Sequence, residues 1–124
     1  MPTLDANNAG CARTALARFH ARVLEKARDV AAPPVLIVAL GDSVTQGRMA
    51  YDVLDAGAVY HARLKALLEG AFPLTTFSVV NVGVSGQTAN GALTHVERGV
   101  LRHDPDLVLI GFGLNDAALG GMAG

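Results

Sequence analysis

Three short apolar segments, 35–40, 77–82 and 107–111, alternate along the chain with stretches whose apolar residues recur at helical spacing. The first contains no polar residue, and unbroken apolarity of that length marks a parallel strand covered on both faces. Before it, residues 12–31 predict a helix with Leu16, Phe19, Val23, Ala27 and Val30 on one stripe. Arg13, Arg22, Lys26 and Asp29 fall mostly off that stripe. Pro33 and Pro34 end the helix, since proline cannot extend the hydrogen-bond ladder and restricts the residue before it. A loop through Gly47 and Gly57 leads to a second predicted helix over 58–69, with Tyr60, Leu64, Leu67 and Leu68 at helical spacing. A third is predicted over 89–102, capped by Thr88, with Leu93, Val96 and Val100 inward and Gly91 and Gly99 weakening it. Asp104 and Pro105 punctuate before the last strand, and a final helix is expected to begin near Asp116.

The resulting order, α-β-α-β-α-β, predicts an α/β fold with a parallel sheet and right-handed crossovers. No repeat, linker or low-complexity tract divides the chain, so residues 1–124 read as one domain with its core beginning at residue 35. Ligands of such sheets bind beyond the carboxyl ends of the strands.

Composition narrows the function classes. A hydrophobic content of 51% suits a sheet buried on both faces. With 5% aromatics and no Trp, the interior must be filled by Ala, Val and Leu. A formal net charge of −1 without a basic block argues against a nucleic-acid or anionic-membrane partner. Cys11 is the single cysteine, which excludes an internal disulfide and a cysteine-rich metal site. His, Asp and Glu do not gather at metal-ligand spacings, so no metal is expected. Residues 2–10 carry Asp5, Asn7 and Asn8 in place of a signal-peptide apolar core, and no run approaches membrane-span length. A cytoplasmic location and no membrane span are the corresponding expectations.

Candidate chemistry sits just after each strand. Gly41-Asp42-Ser43 follows the first, and Gly41 permits the bend that aims the Ser43 hydroxyl and N–H at one space. Serine hydroxyl becomes a nucleophile only when a base takes its proton. Gly86, between Ser85 and Gln87, follows the second strand, and a glycine N–H can approach an oxyanion without side-chain interference. Asn115, two residues after Gly113, follows the third and can offer its side-chain NH₂ to the same oxyanion. Asp116 is then a helix cap or an orienting group. Each block alone is ordinary turn and cap chemistry; their ordered recurrence at three strand ends is what singles them out. Among the histidines, His20 precedes every strand, His95 falls off its helical stripe, and His103 lies at the opposite sheet end. His61, at the start of a helix nearer the mouth, is expected on the surface and is the one not excluded as a base.

Taken together, Gly41-Asp42-Ser43, Gly86 and Gly113-x-Asn115-Asp116 resemble the first three conserved blocks of the SGNH (GDSL-type) hydrolase family. The flanks agree: Val44-Thr45-Gln46-Gly47, Asn81-Val82-Gly83-Val84-Ser85, and Pro105-Asp106-Leu107-Val108. The resemblance implies a flavodoxin-like three-layer α/β/α sandwich with about five parallel strands in the order 2-1-3-4-5. It implies Ser43 as nucleophile and first oxyanion donor, Gly86 as backbone donor and Asn115 as side-chain donor. It also implies hydrolysis of esters or thioesters of lipids, short acyl groups or acylated sugars, with no cofactor.

The family's fourth block, Asp-x-x-His, occurs nowhere in the sequence, and only about three of five strands are present. The expectation is therefore a domain truncated at its C-terminal side, with the catalytic base beyond residue 124. The alternative from another class is a non-catalytic module of the same fold that holds an acyl or sugar ligand. A nucleotide site has no support, because the first turn lacks both G-x-G-x-x-G and a P-loop lysine. Substrate specificity is expected chiefly from the loop at 48–57, where Arg48, Tyr51 and Asp52 are candidates for contact, and from whatever follows residue 117.

Overall fold

The all-apolar run after Pro33-Pro34 forms the central strand, β1 (Val35–Gly41), six of whose seven residues are buried. β2 (Phe77–Gly83) and β3 (Leu107–Gly111) flank it, both parallel to it, in the order β2-β1-β3. The computed structural model describes residues 16–113, 115 and 117. Helix α1 covers 16–28, followed in chain order by α2 (Ser43–Gln46), α3 (Tyr60–Ala71), α4 (Ala89–Ala92) and α5 (Val96–Gly99). Single 3₁₀ turns occupy Ala50–Asp52 and Leu101–His103.

Side-chain alternation along β1 feeds two cores. Val35 and Ile37 join Phe77 of β2 and Val23 of α1, with Phe19, Leu68 and Phe72 packed around them. Val38 and Leu40 join Ala92 and Val100 on the opposite face, flanked by Val80, Val82, Val96 and Val108. Helices therefore cover both faces of the parallel sheet that the sequence pattern predicts, the α/β/α sandwich that the family resemblance implies, here with three strands. Each fully buried side chain such as Val23 or Ile37 contributes about 1.5–3 kcal/mol.

The amino end of the sheet is locked by Asp106. Its N–H donates to the Leu36 carbonyl at 2.8 Å, and its Oδ2 accepts from the Leu36 N–H at 2.9 Å. Its Oδ1 pairs with Arg22 at 3.3 Å and Arg18 at 3.5 Å, both on α1. Arg22 also donates to the carbonyls of Pro33 and Pro34, which ties the double proline to the same junction. The Asp104 side chain, by hydrogen bond and then by charge, holds the Arg18 guanidinium above its ordinary value.

Several packing details depart from the sequence reading. On α3 the inward line passes through His61, Leu64 and Leu68, while Leu67 is exposed. On α1, Phe19 and Val23 face inward as expected, but Leu16 is half out and Val30 is exposed beyond the helix end. The predicted helix over 89–102 is broken into α4, α5 and a 3₁₀ turn. Thr88 does cap its start, Oγ1 accepting from the Gly91 N–H at 3.0 Å. The break follows because Thr94 turns its hydroxyl back onto the Gly91 carbonyl, between two glycines of poor helix propensity. As a result Ala92, not Leu93, is the buried residue there. Residues 12–15 of the first predicted helix, and Cys11, lie outside the described residues. Among the described residues β3 is an edge, and Ile110, on the face of α4 and α5, is 71% exposed.

Candidate active site

β1 hands over to α2 through Asp42, whose Oδ1 accepts from the Val44 N–H at 3.0 Å and so caps the helix. That cap makes Ser43 the first residue of α2, directly beyond the carboxyl end of the central strand. Among the described residues, neither the Ser43 hydroxyl nor its N–H has a hydrogen-bond partner, whereas its carbonyl accepts from Gly47 and Arg48. The helix ends after one turn because Gly47 adopts φ +104°, where a side chain is strained.

What lets α2 sit so close to the sheet is a row of glycines in register. Gly41 lies opposite Gly83 on one side and Gly111 on the other. A Cβ at Gly83 would lie 2.3 Å from the Gln46 nitrogen, and one at Gly41 2.0 Å from Thr45 Oγ1. Thr45 fills this seat with no exposed surface. Its hydroxyl shares a hydrogen bond of 2.9 Å with the Tyr60 hydroxyl, and its carbonyl accepts from His61 Nε2–H at 2.8 Å. His61 is thus buried under α2 and committed to the backbone, not placed on the surface as its sequence position suggests. Gly83, Thr45 and Tyr60 were not singled out as site residues by sequence reasoning. Glycine at the last position of all three strands was the available signal.

The loop after β2 continues the ladder, the Val84 N–H donating to the Gly41 carbonyl at 3.0 Å. Ser85 donates its N–H to Gln46 Oε1 at 3.0 Å and its hydroxyl to the same oxygen. Arg48 donates to Ser85 Oγ at 3.3 Å. Gly86 follows at φ +80°, exposed, and a Cβ there would meet no protein atom within 4 Å. Glycine is required there by conformation. Beyond β3, Gly113 turns at φ +136°, and Asn115 Nδ2 donates to the Gln87 carbonyl at 3.0 Å. Asp116 lies outside the described residues.

Ser43, Gly86 and Asn115 therefore stand beyond the same ends of three adjacent strands. Gln46 links the first to the second loop, and Asn115 itself links the third to the second. His20, His95 and His103 are exposed, His103 at the entry to β3 and so at the far end of the sheet. Among the described residues no three His, Cys, Asp or Glu side chains gather to hold a metal. No described helix is long and apolar enough to cross a membrane. A groove of about 750 Å³ lies between α1 and Phe72, and none of the three site residues lines it. At the rim, the loop from Arg48 closes on itself through a bridge to Leu54, with Tyr51 98% exposed at φ 60°.

The profile of the GDSL-like Lipase/Acylhydrolase family matches residues 39–124. An acetylxylan esterase of Geobacillus stearothermophilus is 33% identical over 84 residues, covering 62% of this chain and 37% of that protein. A crystal structure of a two-domain esterase active on acetylated mannans superposes with a TM-score of 0.64 at 28% identity, over 80% of this chain and 25% of that one. The crystal structure of a Geobacillus stearothermophilus acetylxylan esterase superposes at 0.55 and 32% identity, over 67% of this chain and 40% of that one. A catalytic mutant of that esterase, with a histidine changed to alanine, matches likewise. The chain spans between a quarter and two fifths of the length of these relatives.

Proposed function

Because the chain belongs to the GDSL-like lipase/acylhydrolase family, we propose that it carries the nucleophile and oxyanion half of a serine ester hydrolase acting on acetylated sugars. The observation that carries this reading is Ser43 at the head of α2, its hydroxyl and N–H unpartnered among the described residues, beyond the central strand. The sugar substrate class is supported by the named activities of the relatives, on acetylated xylan and mannan.

In this reading the Ser43 Oγ attacks the acetyl carbonyl carbon as a base removes its proton. The oxygen gains the negative charge and is held by the N–H groups of Ser43 and Gly86 and by Asn115 Nδ2. One Asn115 N–H already points at the Gln87 carbonyl, which fixes the amide plane and leaves the second for the oxyanion. Collapse breaks the bond to the sugar oxygen, which takes the proton from the base and leaves as a hydroxyl; water, giving a proton to the base, then attacks the acetyl-serine, and the Ser43 oxygen regains that proton as acetate leaves. Each oxyanion donor is worth about 10²–10³ in kcat by analogy with a protease donor. In this reading His61 is not the base, since its Nε2 is spent on the Thr45 carbonyl, and the sequence holds no Asp-x-x-His to supply one.

The test is acetate release from acetylated xylo-oligosaccharides and p-nitrophenyl acetate by the product of the complete reading frame. Ser43→Ala is expected to lower kcat by about 10⁴-fold or more, in line with loss of a nucleophile in a serine hydrolase. The 124 residues alone are expected to turn over either ester at least about 10³-fold more slowly than the complete product. Full activity in the Ser43→Ala protein would sink the reading. A tight acetyl-sugar complex with no turnover in the complete product would instead favour the binding-module alternative.

A further inference from the structure

We propose that Gln46 is a positioning residue that sets the oxyanion site, by clamping the loop that presents Gly86 to the helix that presents Ser43. The proposal rests on the hydrolase reading above. Gln46 lies three residues after Ser43, at the other end of the single turn of α2, and cannot shift along the helix axis without carrying Ser43 with it. Its side-chain oxygen takes both donors of Ser85, the N–H at 3.0 Å and the hydroxyl, and Ser85 is the residue immediately before Gly86. Its backbone carbonyl accepts from Asn81 Nδ2 at 3.2 Å, and Asn81 Oδ1 in turn accepts from the Gly83 N–H at 2.9 Å. One residue thus joins the nucleophile's helix to both ends of the turn that leaves β2.

The mechanical need for such a clamp is visible in Gly86. At φ +80° it is exposed, and among the described residues nothing but its chain neighbours packs within 4 Å of a Cβ position, so side-chain packing does not hold it. Its direction is inherited from the peptide planes around it, and the Ser85 plane is fixed by Gln46. Arg48 adds a donor to Ser85 Oγ from the same side, so the Ser85 hydroxyl both gives and receives a hydrogen bond. An acceptor is what Ser85 requires at this point. A carboxylate can take both bonds, and an isosteric apolar side chain can take neither.

Two variants separate this role from bulk or packing: Gln46→Leu keeps the volume without the acceptor, and Gln46→Glu keeps the acceptor. With the complete product and p-nitrophenyl acetate, Gln46→Leu is expected to lower kcat by about 10–10²-fold, somewhat less than deleting an oxyanion donor outright, with KM changed less than about threefold. Gln46→Glu should return kcat to within about threefold of wild type, which a merely structural role would not do. Hydrogen exchange at the Ser85 amide should speed in Gln46→Leu and not in Gln46→Glu, a readout that is independent of catalysis. Wild-type kcat and unchanged Ser85 exchange in Gln46→Leu would overturn the clamp, as would Gln46→Glu failing as badly as Gln46→Leu while both melt like wild type. An active Ser43→Ala protein, by contrast, would overturn the hydrolase reading and leave the exchange result standing.

Discussion

Removing the Asp106 carboxylate should be the most damaging single polar change at the amino end of the sheet. In Asp106→Ala the Leu36 N–H loses its 2.9 Å acceptor at a part-buried strand position. An unpaired, partly buried donor of this kind costs about 1–3 kcal/mol. Arg22, whose side chain is 18% exposed, loses one of its partners but keeps Glu25 and the Pro33 and Pro34 carbonyls. That loss resembles an exposed pair more than a buried one and adds about 0.5–1 kcal/mol. The sum, about 1.5–4 kcal/mol, is a large share of the 5–15 kcal/mol typical of a domain. Asp106→Asn keeps an acceptor for Leu36 and should cost about 1 kcal/mol or less, a penalty that shrinks in high salt. Urea unfolding followed by circular dichroism measures both, and Asp106→Ala should lower the midpoint by about 1–2 M at unchanged slope. If Asp106→Ala unfolds within about 0.5 kcal/mol of wild type, or no more easily than Asp106→Asn, the Leu36 bond is not what closes the sheet.

Gly83→Ala should force α2 off its seat, because the added methyl would strike main-chain atoms of Thr45 and Gln46 that have no rotamer to yield. A stability loss of about 1–3 kcal/mol is expected, and under the proposed hydrolase reading turnover of p-nitrophenyl acetate should fall about 10²-fold as Ser43 is displaced; an active, stable Gly83→Ala protein would refute the close approach. His61→Phe should leave the buried Thr45 carbonyl unpaired and destabilise by about 1–3 kcal/mol. It should retain activity within about 10²-fold, and a loss near 10⁶-fold would mean that His61 is the base after all.

The strands were legible because their signal is local: a short apolar run after a double proline, or before a glycine, needs no knowledge of the rest of the chain. The same holds for Thr88 as a cap and for the strand-end blocks bearing Ser43, Gly86 and Asn115. What escaped reading was held by distant partners. α2 looks like turn chemistry in sequence, and its supports are Tyr60, His61 and Ser85, from 15 to 39 residues away. His61 was expected on the surface for the same reason, since its partner is the Thr45 carbonyl on another element. The third helix failed differently. Its apolar spacing was real, but Thr94 and the glycines broke the ladder, and the inward face moved from Leu93 to Ala92.

The three-glycine row has a consequence for how freely this framework can change. Glycine has no side-chain rotamers, and Thr45, fully buried and β-branched, is held at χ1. The seat of Ser43 therefore carries almost no conformational entropy of its own, and under the proposed hydrolase reading little ordering remains to be lost when a substrate arrives. Preorganisation of this kind is set by main chain, so variation elsewhere can leave it undisturbed. Selection, natural or in the laboratory, can then rewrite the rim from Arg48 to Gly57 while Ser43 stays where it is.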